Sequence, residues 1–391
     1  AVGREDLSAI LYTSGTTGDP KGVMLSHDNM LFTIEAALAC LRAEKGQTVL
    51  AWLPLSHIFG RVADHYLTVR LEAELALAGS IETLMEDLEA IRPHLFASVP
   101  RFFEKVWQNI QALPQAHHGP ALRSVFGDRM QTLTSGGAPL PQHVAEGFFE
   151  AGFALHEGYG MTETTAIVSM QQRDPVVIGS VGQPLPGTEV RISDESEILT
   201  RGRHVMRGYW QDPQATEACL TDGWLHTGDL GRLDEEGHLY ITGRKKDLLV
   251  TSGGKNVAPV VLEQCLVADP WIEQAVVLGD GRRFISALIV PAFEKWKTSG
   301  EAEGLGAGPE PEADGFIRNK QVLRFFQQRI DRRMAEVSQP ERVRRILLLG
   351  RPLSQEAGEI TTTLKVRRGH LGETFASQID AIYAESPSPN S

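Results

Sequence analysis

The sequence is poor in the features that mark several classes of protein. Its 391 residues contain three cysteines, Cys40, Cys219 and Cys265, which are too few and too far apart for a disulfide framework or a metal-binding pattern. They indicate small buried side chains in a reducing compartment, and we expect a cytoplasmic location. No apolar run approaches the roughly 18 residues that a membrane-spanning helix requires. The first ten residues, AVGREDLSAI, lack the apolar stretch of a signal peptide.

Basic charge is also scarce. The chain has 38 Lys and Arg against 50 Asp and Glu, a net charge of -12, which argues against nucleic acid as a partner. A phosphate-bearing ligand must therefore be held by local groups, while a peripheral membrane contact stays open. The hydrophobic fraction of 42% and charged fraction of 23% are those of a globular protein, and the length indicates two or more domains.

Up to residue 243 the pattern is α/β. Short apolar runs such as VLAWLPL, LFASVP and MQTLTSGG end in Gly, Pro or Ser, and helix-like segments such as MLFTIEAALACLRAE and SIETLMEDLEAIRP lie between them. This alternation predicts parallel sheets with ligand loops at the strand ends. From Gly179 to Gly243, short strands between Gly and Pro turns predict a small antiparallel unit.

The pattern changes again after residue 243. VVLEQCLVA and KQVLRFFQQRIDRRMAEV read as helices, and IEQAVVLGDG and FISALIVPA read as strands, which predicts an α+β domain of normal size. The predicted domains are residues 1–243 and 244–391. We expect a flexible surface loop from Thr298 to Gly315 and a frayed tail, SPSPNS, at the end.

The stretch LYTSGTTGDPKG, from Leu11 to Gly22, has the composition of a phosphate loop. Its glycines let the backbone approach an anion, its hydroxyls add donors, and its lysine adds a positive charge. Pro20 before Lys21, and Gly22 after it, exclude the Walker pattern and the helix that would begin there. An ordinary Gly/Ser turn is the alternative. The residues concerned are Thr13, Ser14, Gly15, Thr16, Thr17, Gly18, Lys21 and Gly22.

This loop resembles that of the adenylate-forming superfamily, which includes acyl-CoA synthetases, peptide-synthetase adenylation domains and luciferases. The resemblance extends, in order, through LPLSHIFGR, TSGGAPL, HEGYGMTET, GWLHTGDLG, GRKKDLLVTSGGKNVAP and GEITTTLKVRR. TSGGKNVAP, SVPRFFEKVW and TTTLKVRR look most like long-chain fatty acyl-CoA synthetases. The resemblance implies a large N-terminal domain of parallel-sheet α/β subdomains, with its first part missing, a small antiparallel unit, and a mobile α+β C-terminal domain.

The resemblance also implies a reaction in two steps. A fatty acid carboxylate attacks the α-phosphorus of ATP, with Mg²⁺ bound, to give an acyl-adenylate and pyrophosphate. The thiol of CoA then displaces AMP. Because the first step joins two anions, the site must neutralise charge and orient the reactants.

The motifs of the first domain then receive roles by resemblance. The opening loop would hold the β- and γ-phosphates, and Tyr159 would stack on adenine. Thr162 would donate to the α-phosphate, and Glu163 would hold Mg²⁺. Gly136, Gly137 and Ala138 would form the backbone wall of the adenine and acyl pocket. Gly160 and Met161, which follow Tyr159, would also contact the nucleotide.

Asp229 would accept the ribose hydroxyls, although a lone Asp in a Gly turn is more often a turn-capping residue. Arg244 would hold the ribose and phosphate side. His57 would lie at the acyl carboxylate end of the pocket, with a structural histidine as the alternative.

The remaining roles require a C-terminal domain that moves. Lys246 matches the hinge position, and Lys365 matches the lysine that bridges the attacking carboxylate and the α-phosphate. After the movement, Gly253 and Gly254 would line the pantetheine tunnel. The Arg-rich run from Arg329 to Arg345 would contact the 3′-phosphate of CoA, or else is a solvated helix face.

The chain also departs from the family pattern. It begins at the phosphate loop, so we expect exposed sheet edges and apolar surface, and a helical insertion of the long-chain members is absent. Gly60 stands where most relatives carry Glu, which removes an expected partner of Arg61. Two other functions therefore stay open: a ligase that loads a carrier protein, and a non-catalytic, truncated nucleotide-binding remnant.

Overall fold

A largely parallel sheet forms the centre of the first part of the chain in this computed structural model. The structure describes residues 1–13, 20–172, 176–306, 308–361 and 366–384. The chain divides into two compact units, Ala1–Ile241 and Thr242–Ser391. Each unit is described by itself below.

Strands of the first unit belong to three sheets. Their bounds are β1 (Leu7–Thr13), β2 (Lys21–Ser26), β3 (Thr48–Ala51), β4 (Glu74–Leu77), β5 (Leu95–Ser98), β6 (Thr132–Gly136), β7 (Leu155–Tyr159), β8 (Ser169–Met170), β9 (Gln183–Pro184), β10 (Glu189–Ile192), β11 (Glu197–Arg201), β12 (Gly208–Tyr209), β13 (Leu220–Thr221), β14 (Trp224–Leu233) and β15 (Leu239–Arg244).

The largest sheet has the order β4-β3-β5-β6-β7-β8-β9. Its strands from β4 to β7 pair in parallel, and β8 and β9 add antiparallel. All residues of β3, β5 and β6 are buried. This burial explains the mostly apolar sequences of β3 and β5, TVLA and LFAS, whereas β6, TLTSG, buries mainly small hydroxyl residues. The predicted parallel sheet is confirmed.

Helices cover both faces of this sheet. Their bounds are α1 (His27–Cys40), α2 (Ile58–Gly60), α3 (Leu67–Arg70), α4 (Leu84–Ile91), α5 (Pro100–Ile110), α6 (His118–Phe126), α7 (Gln142–Glu150) and α8 (Pro213–Cys219), with a π-helical turn over Arg61–Tyr66 between α2 and α3. One core packs α1 and the α2–α3 segment around Leu25 and Val49. The other packs α4 to α7 around Phe96 and Leu133.

A small sheet, β1-β2-β12, presents the opening loop. β1 and β2 pair antiparallel, with Thr13 opposite Lys21, so the loop lies between adjacent ends of a hairpin. Lys21 begins a strand, which confirms that no helix starts there after Pro20. Residues 14–19 lie outside the described residues.

The third sheet of the first unit is antiparallel, in the order β10-β11-β14-β13, with β15 paired to β14. The antiparallel unit that the sequence predicts between Gly179 and Gly243 is confirmed. Its longest strand, β14, carries the GWLHTGDLG motif, so the sheet positions Asp229.

The second unit is α+β, as the sequence predicts. Its elements are β16 (Leu249–Val250), β17 (Asn256–Val257), α9 (Pro259–Val267), β18 (Ile272–Leu278), β19 (Ile285–Pro291), α10 (Phe293–Ser299), β20 (Phe316–Ile317), α11 (Lys320–Arg333), β21 (Val343–Leu349), α12 (Arg368–Thr374) and α13 (Ala376–Ala384). The main sheet has the order β18-β19-β21-β20. α9 and α11 pack on one face around Phe326, and α12 and α13 pack with the core around Leu371.

The expected surface loop from Thr298 to Gly315 is only partly correct. Leu305 is buried in the core of the second unit, and its N–H bonds to Gly300 O at 2.8 Å. The sequence did not predict this burial, because a single apolar residue among many Gly and Glu residues gives no periodic signal. The SPSPNS tail lies outside the described residues.

Apolar side chains are exposed beside β4, the edge strand of the large sheet, at Val69, Leu77 and Ile81. The three cysteines are free thiols. Within the described residues, every helix is too short or too polar to cross a membrane.

Candidate functional site

The HEGYGMTET motif joins the end of β7 to a short 3₁₀ turn, Thr162–Thr164. Immediately after this turn, Thr165 and Ala166 have φ values of 51° and 79°, a left-handed conformation that is strained for residues other than glycine. Thr165 Oγ1 donates to His204 O at 2.8 Å and helps to hold the turn. A strained turn at the end of a parallel strand is typical of a ligand site.

Tyr159 and Asp229 meet in the structure although 70 positions separate them. The Tyr159 hydroxyl donates to Asp229 Oδ2 at 2.7 Å, and Asp229 is buried. The Asp229 N–H also bonds to Thr227 Oγ1 at 3.1 Å. The residues that the sequence assigns to adenine and ribose are therefore neighbours.

Glu163 is buried on the 3₁₀ turn, and the Tyr209 hydroxyl donates to its Oε1 at 2.7 Å. Burial and the charge of Glu163 raise the pKa of Tyr209, so the phenol keeps its proton. Lys21 Nζ lies 5.0 Å from the centroid of the Tyr209 ring, a cation–π distance. The structure therefore brings together residues that the sequence assigns to phosphate and to metal.

Glycines let the backbone approach closely around this site. A Cβ on Gly160 would lie 2.1 Å from Ala166 O, so any side chain there would displace the strained turn. Met161 N donates to Thr164 Oγ1 at 3.0 Å and fixes the start of the 3₁₀ turn. Gly136, Gly137 and Ala138 lie at the end of β6, beside β7.

His57 is exposed and caps α2, with Nδ1 accepting from Phe59 N at 3.3 Å. A Cβ on Gly60 would lie 2.8 Å from Pro54 O, so any side chain at this position would clash with the backbone. Arg61 has a different partner here, because its Nε donates to Leu55 O at 3.0 Å.

The second unit holds the other sequence-assigned residues. Lys246 is exposed in the 3₁₀ turn Lys245–Asp247, and Gly253 and Gly254 belong to the exposed turn between β16 and β17. Arg244 ends β15. Lys365 lies outside the described residues, as do Ser14, Gly15, Thr16, Thr17 and Gly18 of the opening loop.

Side chains of the Arg-rich run from Arg329 to Arg345 have partners within the second unit. Arg329 Nε bonds to both carboxylate oxygens of Asp269, at 2.9 and 3.0 Å, and Arg342 Nε donates to Val337 O at 2.8 Å. These contacts support a structural role for part of the run.

Two functional-site neighbours were missed by the sequence analysis. Tyr209 lies in MRGYWQDP, a segment that matches none of the motifs assigned above to a ligand, and His204 is an isolated histidine. Burial lowers the pKa of His204 to about 4, so the ring is neutral at pH 7. Its Nε2 hydrogen-bonds to Thr200 Oγ1 at 2.9 Å, and its backbone oxygen accepts the hydrogen bond from Thr165 of the strained turn.

Glu157 of the HEGYGMTET motif was also missed. It is buried on β7, in register with Ser135 on β6, which is in turn in register with Ser98 on β5. Burial raises the pKa of Glu157 to about 8, so the carboxyl is protonated at pH 7. Within the described residues, the Ser98 and Ser135 hydroxyls have no hydrogen-bond partner.

The donor chemistry at Glu163 fits a hard divalent cation. Its carboxylate makes no ion pair with Lys or Arg in the described part of the chain, and its one side-chain partner there, Tyr209, is neutral. A buried carboxylate whose partner is a neutral phenol offers oxygen ligands that suit a hard cation such as Mg²⁺.

A nucleotide-activating class follows from this fold and these contacts, and comparison with known proteins specifies it. The family profile "AMP-binding enzyme" matches residues 1–210, and "AMP-binding enzyme C-terminal domain" matches residues 246–387. The long-chain-fatty-acid–CoA ligase FadD15 of Mycobacterium bovis is 37% identical over 435 aligned residues, which cover 98% of this chain and 70% of that protein. The chain therefore belongs to the AMP-binding enzyme family.

Two further similarities place the chain within that family. The long-chain-fatty-acid–CoA ligase ACSBG2 of Xenopus laevis is 30% identical, over 97% of this chain and 61% of that protein. The ATP-bound structure of MatB from Rhodopseudomonas palustris has a TM-score of 0.75 and 27% identity, over 95% of this chain and 69% of that one. The fold predicted from the sequence is that of adenylate-forming enzymes.

Proposed function

We propose that this chain is an AMP-forming acyl-CoA ligase that activates a medium- or long-chain fatty acid. The carboxylate attacks the α-phosphorus of ATP and pyrophosphate leaves. The CoA sulfur then attacks the acyl carbon of the adenylate and AMP leaves. The contact between Tyr159 and Asp229 carries this proposal, because it places an aromatic ring and a diol acceptor together, and relatives named as fatty-acid–CoA ligases support the acyl class.

In the first domain, residues 1–243, the proposed roles follow the motifs. Tyr159 stacks on adenine, Asp229 accepts the ribose hydroxyls, and Thr162 donates to the α-phosphate. Thr13, Lys21 and the loop between them hold the β- and γ-phosphates. The wall of the pocket is formed by Gly136, Gly137 and Ala138, with Gly160 and Met161 in contact with the nucleotide and His57 at the acyl carboxylate end.

Glu163 would hold Mg²⁺ beside these phosphates. The ion, when bound, neutralises part of the phosphate charge. Glu163 supplies a carboxylate that Tyr209 orients without cancelling its charge.

The roles in the second domain, residues 244–391, are proposals from the resemblance. Lys246 is the hinge, Arg244 contacts the ribose and phosphate side, and Lys365 bridges the carboxylate and the α-phosphate. Gly253 and Gly254 line the pantetheine path in the second step. Each requires this domain to move between the two half-reactions.

The cell compartment and the acceptor are also proposed. Three free thiols favour a reducing, cytoplasmic location, and the net charge of -12 disfavours nucleic acid. Fatty acid, ATP and CoA are the proposed substrates, and a peripheral membrane contact is compatible with an acyl substrate.

The test is ATP–pyrophosphate exchange with a series of carboxylic acids of increasing chain length. We expect exchange that depends on a fatty acid, and AMP rather than ADP as product when CoA is added. Lys365→Ala should lower the exchange rate roughly 10²- to 10³-fold, the scale of a lost electrostatic contact in the transition state. Lys297→Ala, an exposed lysine paired with Glu294, is the matched control.

The alternatives give different results in the same assay. Exchange with fatty acid, followed by transfer to a phosphopantetheinyl carrier but not to CoA, would identify a carrier-loading ligase. ATP binding without exchange for any acid would identify a non-catalytic nucleotide-binding protein and contradict the proposal.

A further inference from the structure

Tyr209 lies between two parts of the proposed nucleotide site. Its hydroxyl donates to Glu163 Oε1 at 2.7 Å, and its ring centroid is 5.0 Å from Lys21 Nζ. The residue thus contacts both the proposed metal-holding carboxylate and the cation of the phosphate loop. Because Tyr209 is neutral, it orients Glu163 without forming an ion pair that would compete with a metal ion.

Backbone N–H groups on either side of Tyr209 hydrogen-bond to the turn that carries Glu163 and to strand β2, which begins at Lys21. Met206 N donates to Glu163 O at 2.8 Å, and Trp210 N donates to Gly22 O at 2.7 Å, one residue beyond Lys21. The segment Met206–Trp210 therefore links the turn that carries Glu163 to the strand that begins at Lys21.

The position of Tyr209 itself is also held. Tyr209 pairs with Val23 on β2, and its N–H donates to Thr216 Oγ1 at 2.9 Å. Thr216 belongs to α8, whose first turn is capped by the Asp212 side chain. A side chain that starts from a fixed backbone can hold its partner in one orientation at little further entropic cost.

We propose that Tyr209 is the positioning residue for the metal-bound triphosphate. Its hydroxyl keeps the Glu163 carboxylate in the orientation that receives the cation, and its ring keeps the Lys21 ammonium beside the same phosphates. The inference rests on the proposed function, in which this site takes ATP with Mg²⁺. A metal site is strengthened when a neighbouring donor fixes the orientation of its ligand.

The test measures ATP binding by calorimetry, with Mg²⁺ and again in EDTA. Tyr209→Phe removes the hydroxyl and keeps the ring. We expect affinity for ATP to fall about tenfold with Mg²⁺ and less than about twofold in EDTA, since the hydrogen bond that Tyr209→Phe removes affects ATP binding only where Glu163 holds the metal ion. Tyr240→Phe removes another tyrosine–carboxylate bond, Tyr240 Oη to Asp234 at 3.1 Å, and should behave as wild type.

A double-variant cycle separates positioning from general damage. In a Glu163→Gln background, Tyr209→Phe should cause no further loss of metal-dependent affinity, because the group through which it acts is gone. Three results would each overturn the inference. The first is a double variant whose loss of ATP affinity is the product of the losses in the two single variants. The others are an unchanged Mg²⁺ dependence of ATP binding in Tyr209→Phe, and an equal loss of its ATP affinity with and without metal.

The outcome is distinguishable from failure of the proposed function. If Mg²⁺-dependent ATP binding responds to Tyr209→Phe but no carboxylic acid supports pyrophosphate exchange, the inference stands and the proposed function fails. If exchange occurs and Tyr209→Phe binds Mg²⁺ and ATP as wild type does, the reverse holds. Absence of ATP binding by the wild-type chain overturns both.

Discussion

His204 shows how burial alone can set the pH response of a residue. It is completely buried, its Nε2 bonds to Thr200 Oγ1, and burial lowers the pKa of the ring from 6.5 to about 4. In the unfolded chain the ring takes up a proton near pH 6.5, whereas in the folded chain it does so only near pH 4. The stability that depends on His204 is therefore present above pH 6.5 and lost as the pH falls toward 4.

We expect that His204 accounts for roughly 3 kcal/mol of the fall in unfolding free energy between pH 7 and pH 4. Urea unfolding of the wild type and of His204→Gln at both pH values measures this contribution. The titration of carboxylates is common to both proteins, so it cancels in the comparison. The free-energy curves of the two proteins should converge at low pH. His117→Gln, at an exposed histidine, should leave the curve unchanged, and parallel curves for His204→Gln would contradict the prediction.

Glu157 is expected to act in the opposite direction. Burial raises the pKa of its carboxyl from 4.5 to about 8, so the folded chain keeps a proton that the unfolded chain loses. Stability therefore falls as the pH rises from about 4.5 to about 8. Glu157→Gln should be more stable than the wild type at pH 7 by roughly 2 to 3 kcal/mol.

Thermal unfolding at pH 5 and pH 8 tests this expectation. The gain from Glu157→Gln should be larger at pH 8 than at pH 5. Glu150→Gln, at an exposed glutamate of α7, is the control and should show no such difference. An equal gain at both pH values would show that the carboxyl of Glu157 is not protonated in the fold.

At the scale of elements, helix α1 depends on one amide. Ser26 and Asn29 form a capping box, with Asn29 Oδ1 accepting from Ser26 N at 2.7 Å. Asn29 Nδ2 also donates to Arg203 O and Val205 O, at 2.7 and 3.0 Å. The same side chain therefore starts the helix and ties it to the segment that precedes β12.

We expect Asn29→Ala to lower the unfolding free energy of the first unit by roughly 2 to 4 kcal/mol, because it leaves buried backbone groups unpaired. Asn109→Ala, at an exposed position of α5, should change it by less than about 0.5 kcal/mol. Chemical denaturation gives both values. A loss at Asn29 no larger than that at Asn109 would mean that water replaces the three bonds.

Helix α2 and the π-helical turn illustrate an element that sequence periodicity does not predict. Asp64 is fully buried in this turn, burial raises the pKa of its carboxyl, and neither oxygen has a partner within the described residues. From the sequence alone, an aspartate here would be assigned to the surface, because burying an unpaired carboxyl costs free energy. Only the structure reveals that Asp64 is buried.

At the scale of the whole molecule, the cores of the two units are separate. The clusters around Leu25 and Phe96 contain residues of the first unit, and those around Phe326 and Leu371 contain residues of the second. A unit with its own core is expected to fold by itself.

We therefore expect residues 245–391, which begin after β15, to fold cooperatively when expressed alone. The fragment should melt at the temperature of one transition of the full chain, within about 5 °C. ATP with Mg²⁺ should raise the other transition, because the residues of the proposed nucleotide site, Tyr159, Glu163 and Asp229, lie in the first unit. Calorimetry of both proteins provides the measurement, and an unfolded fragment would contradict the division.

Much of the fold was predictable because its signals are local. Buried parallel strands read as apolar runs, as in β3 and β5, and Pro20 excluded a helix at Lys21. The buried Leu305 was not predicted, since one apolar residue in a Gly- and Glu-rich segment gives no periodic signal.

Ordered motifs, whose residue types suit phosphate, ribose and metal, were enough to predict the family. Which side chains meet became known from the folded chain: the Tyr159 hydroxyl reaches Asp229 across 70 positions, and the Tyr209 hydroxyl reaches Glu163 across 46. Only packing, likewise, made Glu157 a neutral acid and His204 a neutral base. The physical reason is that motif chemistry is a property of neighbouring residues, whereas hydrogen bonds between distant segments and loss of solvent arise when the chain packs.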